Sequence, residues 1–68
     1  KPGFPDMILP VPNKDYHGLF IELKYGRNKP TPEQEQWLDR LSEQGYLAVA
    51  AWGAEEAIEV IKEYLGME

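Results

Sequence analysis

Polar and apolar positions alternate with a short period at the start of the chain and with a helical period later, which predicts five elements. Residues 6–11 (DMILPV) form a short apolar run between Pro5 and Pro12-Asn13, the pattern of a strand closed by a turn. Pro10 removes a backbone donor near its end, which points to an edge position or the last pairing of that strand. Residues 19–25 (LFIELKY) are rich in strand formers and flanked by Gly18 and Gly26. The two runs predict an antiparallel hairpin through residues 13–18, a loop longer than a tight turn that holds Lys14, Asp15, Tyr16 and His17. Thr31-Pro32-Glu33-Gln34 is a helix start, with Thr31 as N-cap, Pro32 at the first helical position and Gln34 placed to close a capping box. That helix should run to about Gln44 on an apolar stripe of Trp37, Leu38 and Leu41, with Gly45 as its stop. Residues 46–52 (YLAVAAW) are short and almost wholly apolar, as in a buried strand, and strand-helix-strand succession predicts a right-handed crossover to a parallel neighbour. Residues 54–65 (AEEAIEVIKEYL) read as a second helix with Ala57, Ile58, Ile61 and Leu65 toward the sheet. The expectation is one α/β domain over residues 1–68, a mixed β-sheet with flanking helices in the order β-β-α-β-α.

A chain of 68 residues without cysteine has neither disulfides nor a zinc ligand set to supplement a small core, so packing, or a second subunit, must stabilise it. With 43% hydrophobic residues it has the composition of a globular domain. No apolar run approaches the roughly 20 residues of a membrane span, and no signal-peptide pattern opens the chain, so a cytoplasmic protein without a membrane partner is expected. Residues 1–6 read as a strand approach with no helix or start methionine before them, the pattern of a domain truncated at its N-terminus or completed by a partner.

The net charge of −5 argues against nucleic acid until its distribution is considered. Residues 1–30 hold Lys1, Lys14, Lys24, Arg27 and Lys29 against Asp6, Asp15 and Glu22, a local balance of +2. Residues 31–68 hold Arg40 and Lys62 against nine acids, a balance of −7 that solvated helix faces account for. Whatever chemistry the chain performs is concentrated in its basic part.

Pro5-Asp6 opens the first strand, and Glu22-Leu23-Lys24 lies within the second. Strand alternation puts Glu22 and Lys24 on one face. Folding the hairpin about Asp15 sets Asp6 nearly opposite Leu23 or Lys24, so two carboxylates and an amine converge if their faces match. Two carboxylates plus the carbonyl of Leu23 suit a hard cation such as Mg²⁺ or Mn²⁺, leaving positions for water and a phosphate oxygen. Such a cation stabilises charge developing during phosphodiester hydrolysis and activates water, while Lys24 orients the attacking water or pairs with the phosphate. A Glu-x-Lys pair by itself is equally what a solvent-exposed ion pair looks like.

The succession KPGFPDMILPVP, YHGLFIELKYG and TPEQEQWLDRL decides between these readings. It resembles the VRR-NUC family of the PD-(D/E)xK nuclease superfamily, in particular stand-alone members of phages and bacteria, where a PD motif, an E-x-K strand and a helix bearing S/T-P-E-Q occur in that order. The resemblance covers nearly the whole chain. It implies a restriction-endonuclease-like core, here lacking its N-terminal helix, with Asp6 and Glu22 as metal ligands together with Leu23, Lys24 as catalytic lysine, and Gln34 as the helix glutamine facing the site. It further implies a structure-specific DNA nuclease dependent on Mg²⁺ or Mn²⁺, similar in some members to Holliday-junction resolvases that act as dimers. A capping box alone would also satisfy Gln34. Lys14, Arg27 and Lys29 are candidates for the DNA backbone, with His17 near the rim of the site. Trp37, Tyr46, Trp52 and Tyr64 read as packing residues, Trp52 being the best candidate for an exposed aromatic. If all helices cover one side of the sheet, the open apolar face predicts a homodimer. The rival readings are a catalytically silent nucleic-acid or protein-binding module with the same fold, and a small interaction domain using its acidic helices.

Overall fold

The computed structural model describes residues 2–66; Lys1 and Glu68, counted in the charge balance above, lie outside them. The elements are β1 (Met7–Leu9), β2 (Leu19–Lys24), α1 (Pro32–Glu43), β3 (Leu47–Trp52) and α2 (Ala54–Tyr64), in the expected β-β-α-β-α order. They build a mixed sheet with strand order β1-β2-β3, in which β1 runs antiparallel to β2 and β3 parallel to it.

The first strand is shorter than its apolar run, and its two ends stop for different reasons. Pro10 cannot donate at one end. At the other, the carboxylate of Asp6 accepts the Leu23 N–H at 2.9 Å, in place of a strand carbonyl. The register pairs Met7 with Ile21 and Leu9 with Leu19. Continued outward, it sets Asp6 across from Glu22, where a hairpin centred on Asp15 predicted Leu23 or Lys24.

Alternation along β2 separates two packing faces. Leu19, Ile21 and Leu23 pack with Val49 and Ala51 of β3 and with Ala57, Val60, Ile61 and Tyr64 of α2. This corrects the expected stripe of the second helix: Ile58 and Leu65 are exposed, and the i, i+3, i+4, i+7 set starting at Ala57 faces the sheet. Phe20 and Glu22 face the other way, toward α1, whose Trp37 meets Phe4 edge-on at 5.0 Å while Phe4 meets Phe20 at 5.7 Å. The helices therefore cover opposite faces, and the argument for a dimer from helices on one side loses its premise. Among the described residues no helix is long and apolar enough to cross a membrane.

The hairpin loop is ordered by Asn13, whose Oδ1 accepts from the N–H groups of Asp15 and Tyr16 and whose amide donates to the Tyr64 carbonyl at 2.9 Å. This ties the loop to the end of α2, away from the C-terminal ends of β2 and β3.

Candidate active site

Glu22 is the buried charged side chain of the described core, 3% exposed. It is not the solvated ion pair that the Glu-x-Lys pattern allows. Its Oε2 accepts from Gln34 Nε2 at 2.9 Å and lies 3.7 Å from Lys24 Nζ, while its Oε1 is buried without a hydrogen-bond partner. An orphaned buried carboxylate oxygen carries a substantial desolvation cost unless something outside the chain satisfies it. Burial pushes the Glu22 carboxyl above its ordinary value, and the neighbouring Asp6 carboxylate pushes it further up; Lys24 pulls the other way without cancelling them.

Gln34 resolves a choice that the sequence left open, because its two amide ends serve different purposes. Its Oε1 accepts from the Thr31 N–H at 2.8 Å and Thr31 Oγ1 accepts from the Gln34 N–H at 3.2 Å, a complete capping box. The amide nitrogen remains for Glu22. The residue that starts α1 thus also fixes the Glu22 carboxylate.

Leu23 sits where the β1 ladder ends. Its N–H goes to Asp6, and the residue that the continued register sets opposite is Pro5, which has no N–H to donate to the Leu23 carbonyl. The Pro-Asp pair is legible in the sequence as a motif, but only the strand register reveals that the proline keeps this carbonyl from being taken up by the strand.

The donor set fits a hard divalent cation: the Asp6 carboxylate immediately before β1, the Glu22 carboxylate on β2 with one oxygen unsatisfied, and a strand-end carbonyl. Among the described residues there is no group of three or more His, Cys, Asp or Glu that could hold a metal ion, so the carboxylates at this site are those of Asp6 and Glu22.

The expected DNA contacts separate into two groups. Arg27 and Lys29 lie in the exposed connection between β2 and α1, next to Lys24. Lys14 and His17 precede the other end of β2, and His17 to Lys24 spans about 23 Å of extended chain. The His17 ring instead packs against Tyr46 and over Gly45, where an added Cβ would stand 2.6 Å from the ring. His17 is therefore not at the rim of the site, because its backbone N–H and ring are held by the turn before β3. Tyr64 is a packing residue, buried with its hydroxyl donating to the Val11 carbonyl at 2.7 Å.

A mixed sheet with a helix on each face, carrying one acid just before β1 and one on β2 beside a lysine at the strand end, is a nuclease-like α/β fold. The VRR-NUC domain family model matches residues 1–55, and the chain belongs to that family. A solved structure described as a VRR_NUC domain protein has the same fold, with a TM-score of 0.94 and 40% sequence identity over 98% of this chain. The match covers 56% of that protein, so the chain spans about half the length of this relative. No curated protein sequence matches the chain.

Proposed function

We propose that this nuclease-family domain is a metal-dependent endonuclease that hydrolyses DNA phosphodiester bonds, with branched, flapped or four-way-junction DNA as its substrate class. The observation that carries the reading is the Glu22 carboxylate, buried with one oxygen unsatisfied beside Asp6 and Lys24. A structural ion pair would have both carboxylate oxygens occupied or solvated.

In this reading Asp6, Glu22 and the Leu23 carbonyl hold Mg²⁺ or Mn²⁺. When bound, such a cation supplies positive charge to the phosphorane and acidifies a water. Gln34 occupies Glu22 Oε2 and so leaves Oε1 as the oxygen available for coordination. Lys24 neutralises charge on the scissile phosphate or orients the attacking water. Arg27 and Lys29 position the duplex through its phosphates without reading sequence. The expectation of a homodimer rests on the family resemblance alone.

Cleavage of fork, flap, four-way-junction and linear DNA in Mg²⁺ or Mn²⁺ tests the proposal, with Lys24→Ala as the comparison. We expect the variant to lose about 10²- to 10³-fold in rate with an unchanged circular dichroism spectrum. Equal rates in both proteins would remove Lys24 from the mechanism. Calorimetric titration with Mn²⁺ separates the enzyme from a silent module. The enzyme gives a binding heat that Asp6→Ala removes, whereas in a silent module that substitution changes nothing.

A further inference from the structure

The parallel register sets Trp52, the last residue of β3, beside Lys24, the last residue of β2. Paired residues on neighbouring strands present their side chains to the same face, so the indole emerges next to the lysine at a strand spacing of about 4.8 Å. Unlike the other aromatics of that face, it has no ring partner among the described residues. Edge-to-face contacts link Phe4, Phe20, Trp37 and Tyr46, and Trp52, 40% exposed, lies outside that set.

Its exposure is not looseness. The indole N–H donates to the Asn28 carbonyl at 2.7 Å, which fixes the ring against the connection that carries Arg27 and Lys29. Its backbone N–H is held by the carboxylate of Glu56, which turns that acid toward the start of α2. The result is a pre-oriented aromatic surface, with a lysine on one side and a basic turn on the other. That combination of cationic groups and a rigid ring is how proteins hold single-stranded nucleotides without reading their sequence. A fully stacked base pair offers no free π-face to such a ring, whereas a base at a branch point, flap or nick does.

Building on the nuclease reading above, we propose that Trp52 stacks on an unpaired nucleobase adjoining the scissile phosphate and thereby selects DNA with a splayed base at the cut site. The ring's partner is the base, and Arg27 and Lys29 take the flanking phosphates. Selection then needs no deformation of the domain, because the ring already occupies its working position.

The test uses Trp52→Leu, which keeps apolar bulk without a π-face, and Trp52→Phe, which keeps a π-face without the Asn28 hydrogen bond. Each is placed in the Lys24→Ala background and mixed with a flap oligonucleotide carrying 2-aminopurine at the branch. We expect stacking to quench the fluorophore in the parent and in Trp52→Phe, and the quenching to vanish in Trp52→Leu. In the cleaving background, Trp52→Leu should lose roughly 5- to 150-fold in kcat/KM on flap DNA, the range of one lost stacking contact, while Trp52→Phe stays within about threefold of the wild type. Quenching that persists in Trp52→Leu, or is absent from the parent, overturns the proposal even if the enzyme cuts DNA. Quenching that depends on Trp52 in a protein that never cleaves would support base stacking while refuting the nuclease reading on which the substrate assignment rests.

Discussion

Glu22→Gln is expected to produce a domain that no longer cuts DNA and yet unfolds at a higher temperature than the wild type at neutral pH without divalent ions. The activity loss follows from the proposed role of Glu22: replacing a charged cation ligand by a neutral one would forfeit several kcal/mol of transition-state stabilisation, on the order of 10³-fold in rate. The stability gain follows from the raised Glu22 carboxyl. A carboxyl with a higher folded than unfolded value binds protons more tightly in the native state, so stability falls as pH rises from about the ordinary value of 4.5 through the raised one. The cost is absent below the ordinary value and grows as pH rises through the raised one. Thermal unfolding in EDTA between pH 4 and 8 should show the variant above the wild type at pH 8, with the gap narrowing as pH falls toward the ordinary carboxyl value. Mg²⁺ or Mn²⁺ should raise the wild-type midpoint and leave that of the variant unchanged, since only the former gains a ligand in the native state. A variant that is less stable at pH 8, with an unaltered pH slope, would show that this carboxylate costs the fold nothing.

Gly3→Ala should have the largest effect of any single methyl group in the N-terminal segment. Gly3 has φ +87°, a conformation that costs an L-residue about 1–2 kcal/mol. A Cβ there would lie 2.7 Å from the Glu33 carbonyl carbon and 2.9 Å from the Gln34 nitrogen, both backbone atoms of the first turn of α1. Residues 2–5 cross that turn closely, anchored by the Trp37 indole donating to the Pro2 carbonyl at 3.1 Å and by Phe4 against Trp37 and Phe20. A loss of about 2–4 kcal/mol is expected, and each kcal/mol lowers the midpoint by about 4–8 °C in a domain of this size. Because Asp6 follows this segment, cleavage and Mn²⁺ binding should weaken together, measurable by calorimetry on protein that is still folded at 15 °C. An unchanged midpoint with full Mn²⁺ affinity would mean that the crossing segment neither stabilises the domain nor sets Asp6.

Element order was legible in the sequence because each element here is specified locally. Thr31, Pro32 and Gln34 start α1 through their own side chains and φ preference, and Gly45 ends it; no distant residue is needed to read them. The face of α2 was less legible. Ile58 and Tyr64 compete for the sheet at helical spacing, and the Val11 carbonyl, which accepts the Tyr64 hydroxyl from 53 residues away, helps to draw the tyrosine inward. The placing of His17 failed for a related reason, since proximity to the site in sequence was read across a strand whose two ends lie far apart.

The sequence by itself determined which residue types are present and which strand each lies on, because side-chain alternation puts Glu22 and Lys24 together on any extended chain. The tertiary structure decided what those residues are. The β1–β2 register brings Asp6 against the Leu23 N–H, α1 delivers Gln34 to one oxygen of Glu22, and β3 sets Trp52 beside Lys24. Each of these contacts joins segments well apart in sequence. For Glu22 the energetics come from burial between β2 and α1, which no local pattern records: the same glutamate on an isolated strand would be solvated, and here it is 3% exposed with one oxygen unsatisfied.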